Sequence, residues 1–188
     1  MLLGDLMKKF MFVILLLILC IPIAILGFKS ASNMPVSNTT ETVDPPPILL
    51  EQAYVKRVVD GDTIIATIDG QDYRVRMIGM DTPESTTQIE PYGKEASDYT
   101  KSRLTGKTVY LEKDVRDTDQ YDRLLRYIWL EKPSKITEIE IREKLFNAEL
   151  LLEGYAQLFT YPPDVKYISY FTQFEKEAKQ NEKGLWGI

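Results

Sequence analysis

Three short apolar runs rich in β-branched residues decide the fold, and all lie in residues 53–80, AYVKRVVDGDTIIATIDGQDYRVRMIGM. The runs occupy residues 53–59, 63–68 and 73–80. Such runs, bounded by turn residues, are typical of β-strands. Asp60-Gly61-Asp62 separates the first two runs, and Asp69-Gly70 separates the second from the third. Because Asp-Gly pairs favour tight hairpin turns, the sequence predicts three consecutive strands.

The later part of the chain adds two predicted strands and three predicted helices. The strands are expected at 108–112 and 125–130, and the helices at 92–104, 145–153 and 168–180. Gly106 and Gly154 end the first two helices, as glycine commonly does. Early strands with helices inserted and appended indicate an α+β protein, mainly a five-stranded barrel of OB type. We interpret the charged segment 131–144, with isoleucines at 139 and 141, as an extended hairpin or loop.

Residues 1–32 have the pattern of an export segment. Lys8 and Lys9 precede the uncharged run 10–28, which is near the length that spans a bilayer. A cleaved secretory signal and an uncleaved membrane anchor both fit this pattern. Residues 33–50 are polar and proline-rich, so we expect a flexible linker before a globular domain at 51–188. The sequence thus predicts an exported protein, secreted or anchored on the outer face of the cytoplasmic membrane.

The composition excludes several kinds of catalytic site. The chain has no histidine and a single cysteine, Cys20. Ser-His-Asp triads, Cys-His dyads, His-ligated zinc and an intramolecular disulfide are therefore impossible. The net charge of −5 and the sequence pI of about 5.0 argue against an architectural DNA binder. Any catalysis must come from carboxylates, arginines, lysines, tyrosines and hydroxyls, with or without a hard metal ion.

Two acidic turns could supply such a metal site. Asp60 and Asp62 lie in the first turn, and Asp81-Thr82-Pro83-Glu84 follows the third run. Each turn alone is better explained as a polar, solvated connection. On neighbouring strands of one barrel, however, their carboxylates can converge at the rim, where Ca²⁺ or Mg²⁺ would find oxygen ligands.

Arginines accompany both turns. Arg74 and Arg76 share one face of the third strand, and Arg123 ends the polar loop 119–123. Surface salt bridges or solvated arginines would also fit these positions. A pair of arginines from two directions could instead clamp a phosphate through their planar forks. A cation, fixed positive charges and a carboxylate base are what phosphodiester hydrolysis requires.

The order of motifs resembles the staphylococcal nuclease family over roughly residues 52–186. The motifs are DGDT at 60–63, YRVRMIGMDTPE at 73–84, YGKEA at 92–96, DQYDRLLRYIW at 119–129, NAELLLEGYA at 147–156 and GLW at 184–186. No single motif is specific, but their order and spacing together are. The resemblance implies the OB barrel with three helices.

The resemblance also implies a calcium site. Asp62 and Asp81 match the family's ligand carboxylates, and Thr82 matches the residue that contributes its backbone carbonyl. Asp60 matches a nearby acidic residue that supports the site without ligating the ion.

The same resemblance implies catalytic roles. Arg76 and Arg123 match the arginines that bind phosphate and stabilise the transition state, and Glu84 matches the general base for the attacking water. Tyr121 matches an aromatic residue beside the nucleotide. The implied reaction is hydrolysis of DNA and RNA that leaves 3′-phosphate and 5′-hydroxyl ends.

Two departures from the family concern the substrate. The loop after Glu84 contains no lysine, and Gln120 replaces a basic residue of the type protein. Tyr161 matches the family's stacking tyrosines only approximately.

We expect single-stranded DNA and RNA as preferred substrates and a monomeric protein. A catalytically weak OB module that binds single strands, or a structural calcium-binding domain, would be the alternatives, although a binding module has no need of Glu84.

Overall fold

The computed structural model describes residues 48–188 of this chain. The predicted signal or anchor at 1–32, and the linker at 33–50 up to residue 47, lie outside the described residues. None of the helices in the described part has both the length and the apolar character needed to cross a membrane.

A closed five-stranded barrel is the centre of the domain. The described residues form seven strands, five of which close the barrel. They are β1 (Glu51–Asp60), β2 (Thr63–Ile68), β3 (Gln71–Met77), β4 (Met80–Asp81), β5 (Thr108–Glu112), β6 (Leu124–Trp129) and β7 (Gln157–Leu158). The barrel order is β1-β2-β3-β6-β5, and β4 pairs with β7 outside it. Neighbours in the barrel are antiparallel except for the parallel pair β3–β6. The predicted α+β fold with an OB-type barrel is therefore confirmed.

The third predicted strand is divided at Gly79. The sequence predicts one strand over 73–80, but β3 ends at Met77 and the chain turns before β4. Gly79 has φ of 84°, and a Cβ there would lie 2.6 Å from the Phe171 ring. Only glycine fits this positive φ and close approach without strain. The bend takes Asp81 out of the barrel and toward its rim.

The four α-helices in residues 48–188 are α1 (Gly93–Leu104), α2 (Glu138–Lys144), α3 (Phe146–Leu152) and α4 (Ile168–Gln180). Helices α1, α3 and α4 correspond to the three predicted ones. Gly106 and Gly154, which follow α1 and α3, have φ of 74° and 71°. These left-handed conformations agree with their predicted role in ending helices.

Helix α2 replaces the hairpin or loop expected within 131–144. Ile139 is 66% exposed whereas Ile141 is fully buried, so residues two apart lie on different faces, as in a helix. Thr137 caps the helix, because its hydroxyl accepts a hydrogen bond from the Glu140 N–H at 3.3 Å. The expected loop is present at 131–137, but the prediction was wrong for 138–144, where isoleucines two residues apart resembled the alternation of a strand.

A buried amide joins the helical layer to the barrel beside the bend. The Asn147 carboxamide accepts from the Ile128 N–H at 2.9 Å and donates to the Ile78 carbonyl at 3.0 Å. Asn147 is fully buried, so these bonds satisfy backbone groups that water cannot reach. They tie α3 to β6 and to the turn before β4, and thereby hold the barrel rim in place.

Candidate active site

The β1–β2 turn contacts the end of β4 through Asp62. The Asp62 carboxylate is 3% exposed and accepts bonds from the Thr82 N–H at 3.2 Å and the Thr82 hydroxyl at 3.1 Å. A Cβ on Gly61 would lie 2.6 Å from Thr82 Oγ1. The Gly61 carbonyl accepts from the Thr100 hydroxyl at 2.7 Å. A glycine in this turn thus allows the two acidic segments to meet, as the sequence analysis expected.

Arg76 bridges the two predicted metal-ligand carboxylates. One terminal nitrogen of Arg76 contacts Asp62 Oδ2, and the other lies 2.5 Å from Asp81 Oδ1. Burial lowers the pKa of the Arg76 guanidinium from its ordinary value, and the bond to Asp81 opposes this shift. The guanidinium thus joins the carboxylate of the β1–β2 turn to the carboxylate at the end of β4.

The donor set at this rim consists of oxygen atoms. Within residues 48–188 there is no group of three or more His, Cys, Asp or Glu side chains that could hold a metal ion. Two carboxylates, Asp62 and Asp81, converge here beside the backbone of Thr82. Carboxylate and carbonyl oxygens are the ligands that Ca²⁺ takes, with waters completing its shell. The residues therefore fit a calcium ion that keeps several water ligands.

Glu84 lies on the loop that follows β4. Its carboxylate accepts hydrogen bonds from the Thr86 hydroxyl and from the Thr86 N–H at 2.9 Å. These bonds lower the pKa of Glu84 to about 2, so the group is ionised at neutral pH. Burial raises the pKa of the neighbouring Asp60 carboxyl, which accepts from the Ser85 hydroxyl at 2.5 Å.

Arg123 is positioned by Asp119 within the loop before β6. The Asp119 carboxylate accepts from the Arg123 N–H at 3.0 Å and from Arg123 Nε at 2.7 Å. Burial raises the pKa of Asp119, but these bonds outweigh it and the net pKa is lowered. The Arg123 guanidinium also lies 5.5 Å from the centre of the Tyr121 ring. Asp119 thus fixes the arginine through its backbone N–H and its Nε.

All six predicted site residues line one pocket of about 290 Å³. They are Asp62, Arg76, Asp81, Thr82, Glu84 and Arg123. Asp60 and Arg74 line it as well. The structure therefore brings together carboxylates and arginines that are far apart in sequence, at the barrel rim where they were expected to meet.

A second cavity of about 380 Å³ adjoins the first at Arg76 and Arg123. Tyr121 and Tyr161, which are 68% and 63% exposed, line this cavity together with Phe159. Exposed aromatic rings beside arginines provide surfaces on which nucleic-acid bases can stack.

Two carboxylates that position arginines were not predicted from the sequence. Asp119 was seen only as part of a polar loop, although its spacing of four residues from Arg123 was a usable signal. Asp164 was not singled out. It is 2% exposed and binds Arg116 Nε at 2.6 Å, a contact over 48 residues that no local pattern reveals.

Barrel, rim carboxylates and paired arginines together define a nuclease-like OB domain. The family model described as staphylococcal nuclease homologue matches residues 74–187. The chain belongs to the staphylococcal nuclease family. Membership of this family supports nuclease activity on nucleic acids.

Three relatives illustrate the similarity. A thermonuclease of Staphylococcus intermedius is 38% identical over 183 residues, which cover 96% of this chain and 99% of the relative. A thermonuclease of Staphylococcus hyicus is 44% identical over 140 residues, or 72% of this chain and 76% of the relative. Endonuclease YncB of Bacillus subtilis (strain 168) is 33% identical over 142 residues, or 73% of this chain and 62% of the relative.

Proposed function

We propose that this chain is a calcium-dependent nuclease that hydrolyses phosphodiester bonds in DNA and RNA and leaves 3′-phosphate ends. The observation that carries the proposal is the single pocket lined by two converging carboxylates, a third ionised carboxylate and two arginines. The relatives named thermonuclease and endonuclease support the nuclease activity in this proposal.

Asp62, Asp81 and the carbonyl of Thr82 would hold the calcium ion. A bound Ca²⁺ supplies positive charge that polarises a phosphoryl oxygen. Both carboxylates contact the Arg76 guanidinium, and an ion bound between them would release the terminal nitrogens of Arg76 for phosphate.

Arg76 and Arg123 would bind the phosphate on which water attacks. Both line the same pocket, and both have planar forks suited to paired phosphate oxygens. Negative charge on these oxygens grows in the transition state, so fixed donors at this point stabilise the transition state more than the substrate. The bond from Asp119 keeps Arg123 in place before substrate arrives.

Glu84 would take the proton of the attacking water. The bonds from Thr86 keep Glu84 ionised at neutral pH, which is the charge state in which a carboxylate can accept a proton. The new bond joins the water oxygen to phosphorus, and the bond from phosphorus to the 5′-oxygen breaks. The released 5′-oxygen takes a proton from solvent water, so the products are a 3′-phosphate and a 5′-hydroxyl.

The second cavity supports binding of a nucleotide base beside the reacting phosphate. The exposed rings of Tyr121 and Tyr161 offer stacking surfaces, which accept any base and need no paired strand. This arrangement favours single-stranded DNA and RNA as substrates.

Export is the second part of the proposal. Lys8 and Lys9 before the uncharged run 10–28 support a secreted or membrane-anchored protein whose nuclease domain, residues 51–188, follows a linker at 33–50. Fractionation of the producing cells tests this. The protein is expected in the medium or in the membrane fraction, and recovery only from the soluble cell interior contradicts export.

The test of activity is degradation of single-stranded DNA by the purified full chain. Cleavage is expected with calcium and not with a chelator, and Glu84→Gln is expected to slow it about 10²–10⁴-fold. Glu95→Gln, an exposed carboxylate on α1, serves as the matched control and should cut at the parent rate. Absence of calcium-dependent cutting would overturn the proposal that the chain is a nuclease. Cutting that survives both the chelator and Glu84→Gln would overturn the proposed mechanism but not the nuclease activity.

A further inference from the structure

Six of the eight arginines in residues 48–188 form ion pairs with carboxylates, and two do not. The paired ones are Arg76, Arg103, Arg116, Arg123, Arg126 and Arg142. Arg57 and Arg74 are exposed and have no ion pair within the described part of the chain. Two unpaired guanidinium groups in an acidic protein are available to an external anion.

The barrel register brings these two arginines to opposite sides of one residue. Arg57 of β1 pairs with Ile65 of β2, and Ile65 pairs with Arg74 of β3. With strands about 4.8 Å apart, the backbones of the two arginines are separated by roughly 10 Å. Half-buried Ile65 lies between them as an apolar surface.

This arginine row lies next to the candidate active site. Asp60, Thr63 and Arg76 form the neighbouring cross-strand row, two residues farther along β2 and β3. Side chains two residues apart share a strand face, and the step between them is about 7 Å. Arg74 itself lines the active-site pocket. The arginine row therefore continues the outer barrel face away from the reacting phosphate.

Arg57 and Arg74 supply positive charge on their side of the active-site pocket. On the other side, the loop over 85–91 contains no lysine or arginine. The next row beyond the arginines contains Asp72, whose carboxylate is already bound by Lys56 at 2.5 Å and by the Thr67 hydroxyl at 2.6 Å. A phosphate at the arginine row would thus meet two free guanidinium groups and a neutralised carboxylate.

We propose that Arg57 and Arg74, with Ile65 between them, form a binding site for the phosphates of a single nucleic-acid strand beyond the bond that is cut. The site rests on the proposed nuclease function and specifies its substrate class, namely strands several nucleotides long. The guanidinium groups bind phosphates that flank the reacting one, and Ile65 packs against the strand between them.

The test compares two double variants of the full chain on two substrates with calcium. Arg57→Gln/Arg74→Gln removes the row, and Lys135→Gln/Lys176→Gln removes the same charge from exposed, unpaired positions elsewhere in residues 48–188. The substrates are a long single-stranded DNA and a dinucleotide, which is too short to reach Arg57 from the reacting phosphate.

For the arginine variant, kcat/KM on the long strand is expected to fall about tenfold more than on the dinucleotide, and the extra loss should be in KM. The salt dependence of long-strand binding should weaken by a slope of about 1.4, because each phosphate contact with a single strand contributes about 0.7. The lysine control should behave as the parent on both substrates.

Equal losses on the two substrates, or an equal loss in the lysine control, would overturn the phosphate site and leave the nuclease intact. A parent protein that cuts neither substrate would instead overturn the proposed function. In that event, fluorescence anisotropy with a labelled single strand decides on the site alone, since weaker binding by the arginine variant than by the lysine control supports it and equal binding refutes it.

Discussion

Arg76 at the pocket and Arg142 on α2 each contact two carboxylates, but their surroundings shift the pKa of the two guanidinium groups in opposite directions. Burial lowers the pKa of Arg76. Bonds from the Arg142 terminal nitrogens to Glu177, at 2.8 and 2.6 Å, raise the pKa of Arg142. Desolvation therefore destabilises the charged form of the pocket arginine, whereas hydrogen bonds to carboxylates stabilise the charged form of the helix arginine.

The two regions should therefore respond differently to substitution. A buried, charged cluster in a pocket is typical of functional sites, because interaction with a ligand offsets its cost. The α2–α4 pair lies away from the pocket and joins an inserted helix to the last one. Pocket substitutions should change activity, and substitutions in the helix pair should change stability.

Arg123→Ala is expected to have the largest effect. Loss of a fixed donor to the transition state should lower kcat about 10²–10³-fold and leave thermal unfolding close to that of the parent. Steady-state kinetics on single-stranded DNA and a melting curve measure both quantities. Arg103→Ala, which breaks the exposed pair with Glu149, is the control and should retain activity. A loss below about tenfold, or about 1.4 kcal/mol, would reduce Arg123 to a surface residue.

Asp119→Ala should have a smaller effect on the same reaction. Arg123 remains but loses the bonds that fix it, so we expect kcat to fall about tenfold, less than the full loss of the donor. Asp119→Asn should recover part of the rate, since its carboxamide oxygen can accept one of the bonds. If Asp119→Ala cuts at the parent rate, Arg123 needs no anchor.

Arg142→Ala should reverse the pattern of Arg123→Ala. The unfolding free energy should fall by about 1 kcal/mol, because a bidentate pair and the contact with the Phe174 ring at 4.4 Å are lost. Cleavage should proceed at the parent rate. Urea unfolding compares this variant with Lys135→Ala, whose lysine is exposed and forms no ion pair within residues 48–188. Lower activity without lower stability would contradict the division between the two regions.

The pH dependence of the helix pair gives the smallest expected effect. Arg142 lowers the pKa of Glu177 from 4.5 to about 2. A carboxylate with a lowered folded pKa stabilises the protein above its ordinary pKa, and this contribution disappears as the pH falls toward 2. The stability difference between the parent and Glu177→Gln should thus be constant near neutral pH and shrink below about 4.5. A difference that stays constant down to pH 2 would show that the ion pair does not provide it.

The barrel could be predicted because its signals are local. Apolar runs separated by Asp-Gly turns place β1, β2 and β3 in order, and glycines mark where two helices end. Helix α2 was also marked, since Thr137 followed by Glu140 at three residues is a capping pattern. Its isoleucines at 139 and 141 misled because spacing alone does not reveal which of them is buried.

The candidate site was only partly predictable. Acidic turns and arginines stand out in the sequence, but only the family resemblance distinguishes ligand from base and Arg76 from Arg74. Their roles stay predictions until the variants are measured. Asp119 was overlooked because its importance depends on its bond to Arg123, and side-chain partners are not visible in a run of polar residues.

The sequence by itself determined that any catalysis here proceeds without histidine, that the chain contains a strand-rich barrel, and that carboxylates and arginines cluster along it. These are consequences of residue type and near-neighbour spacing. Only the tertiary structure decided that the chain turns at Gly79, that Asp62 meets Thr82 across 20 residues, and that Arg57 and Arg74 flank Ile65. Those contacts depend on strand register and barrel closure, which the packing of the whole domain determines and no single segment determines alone.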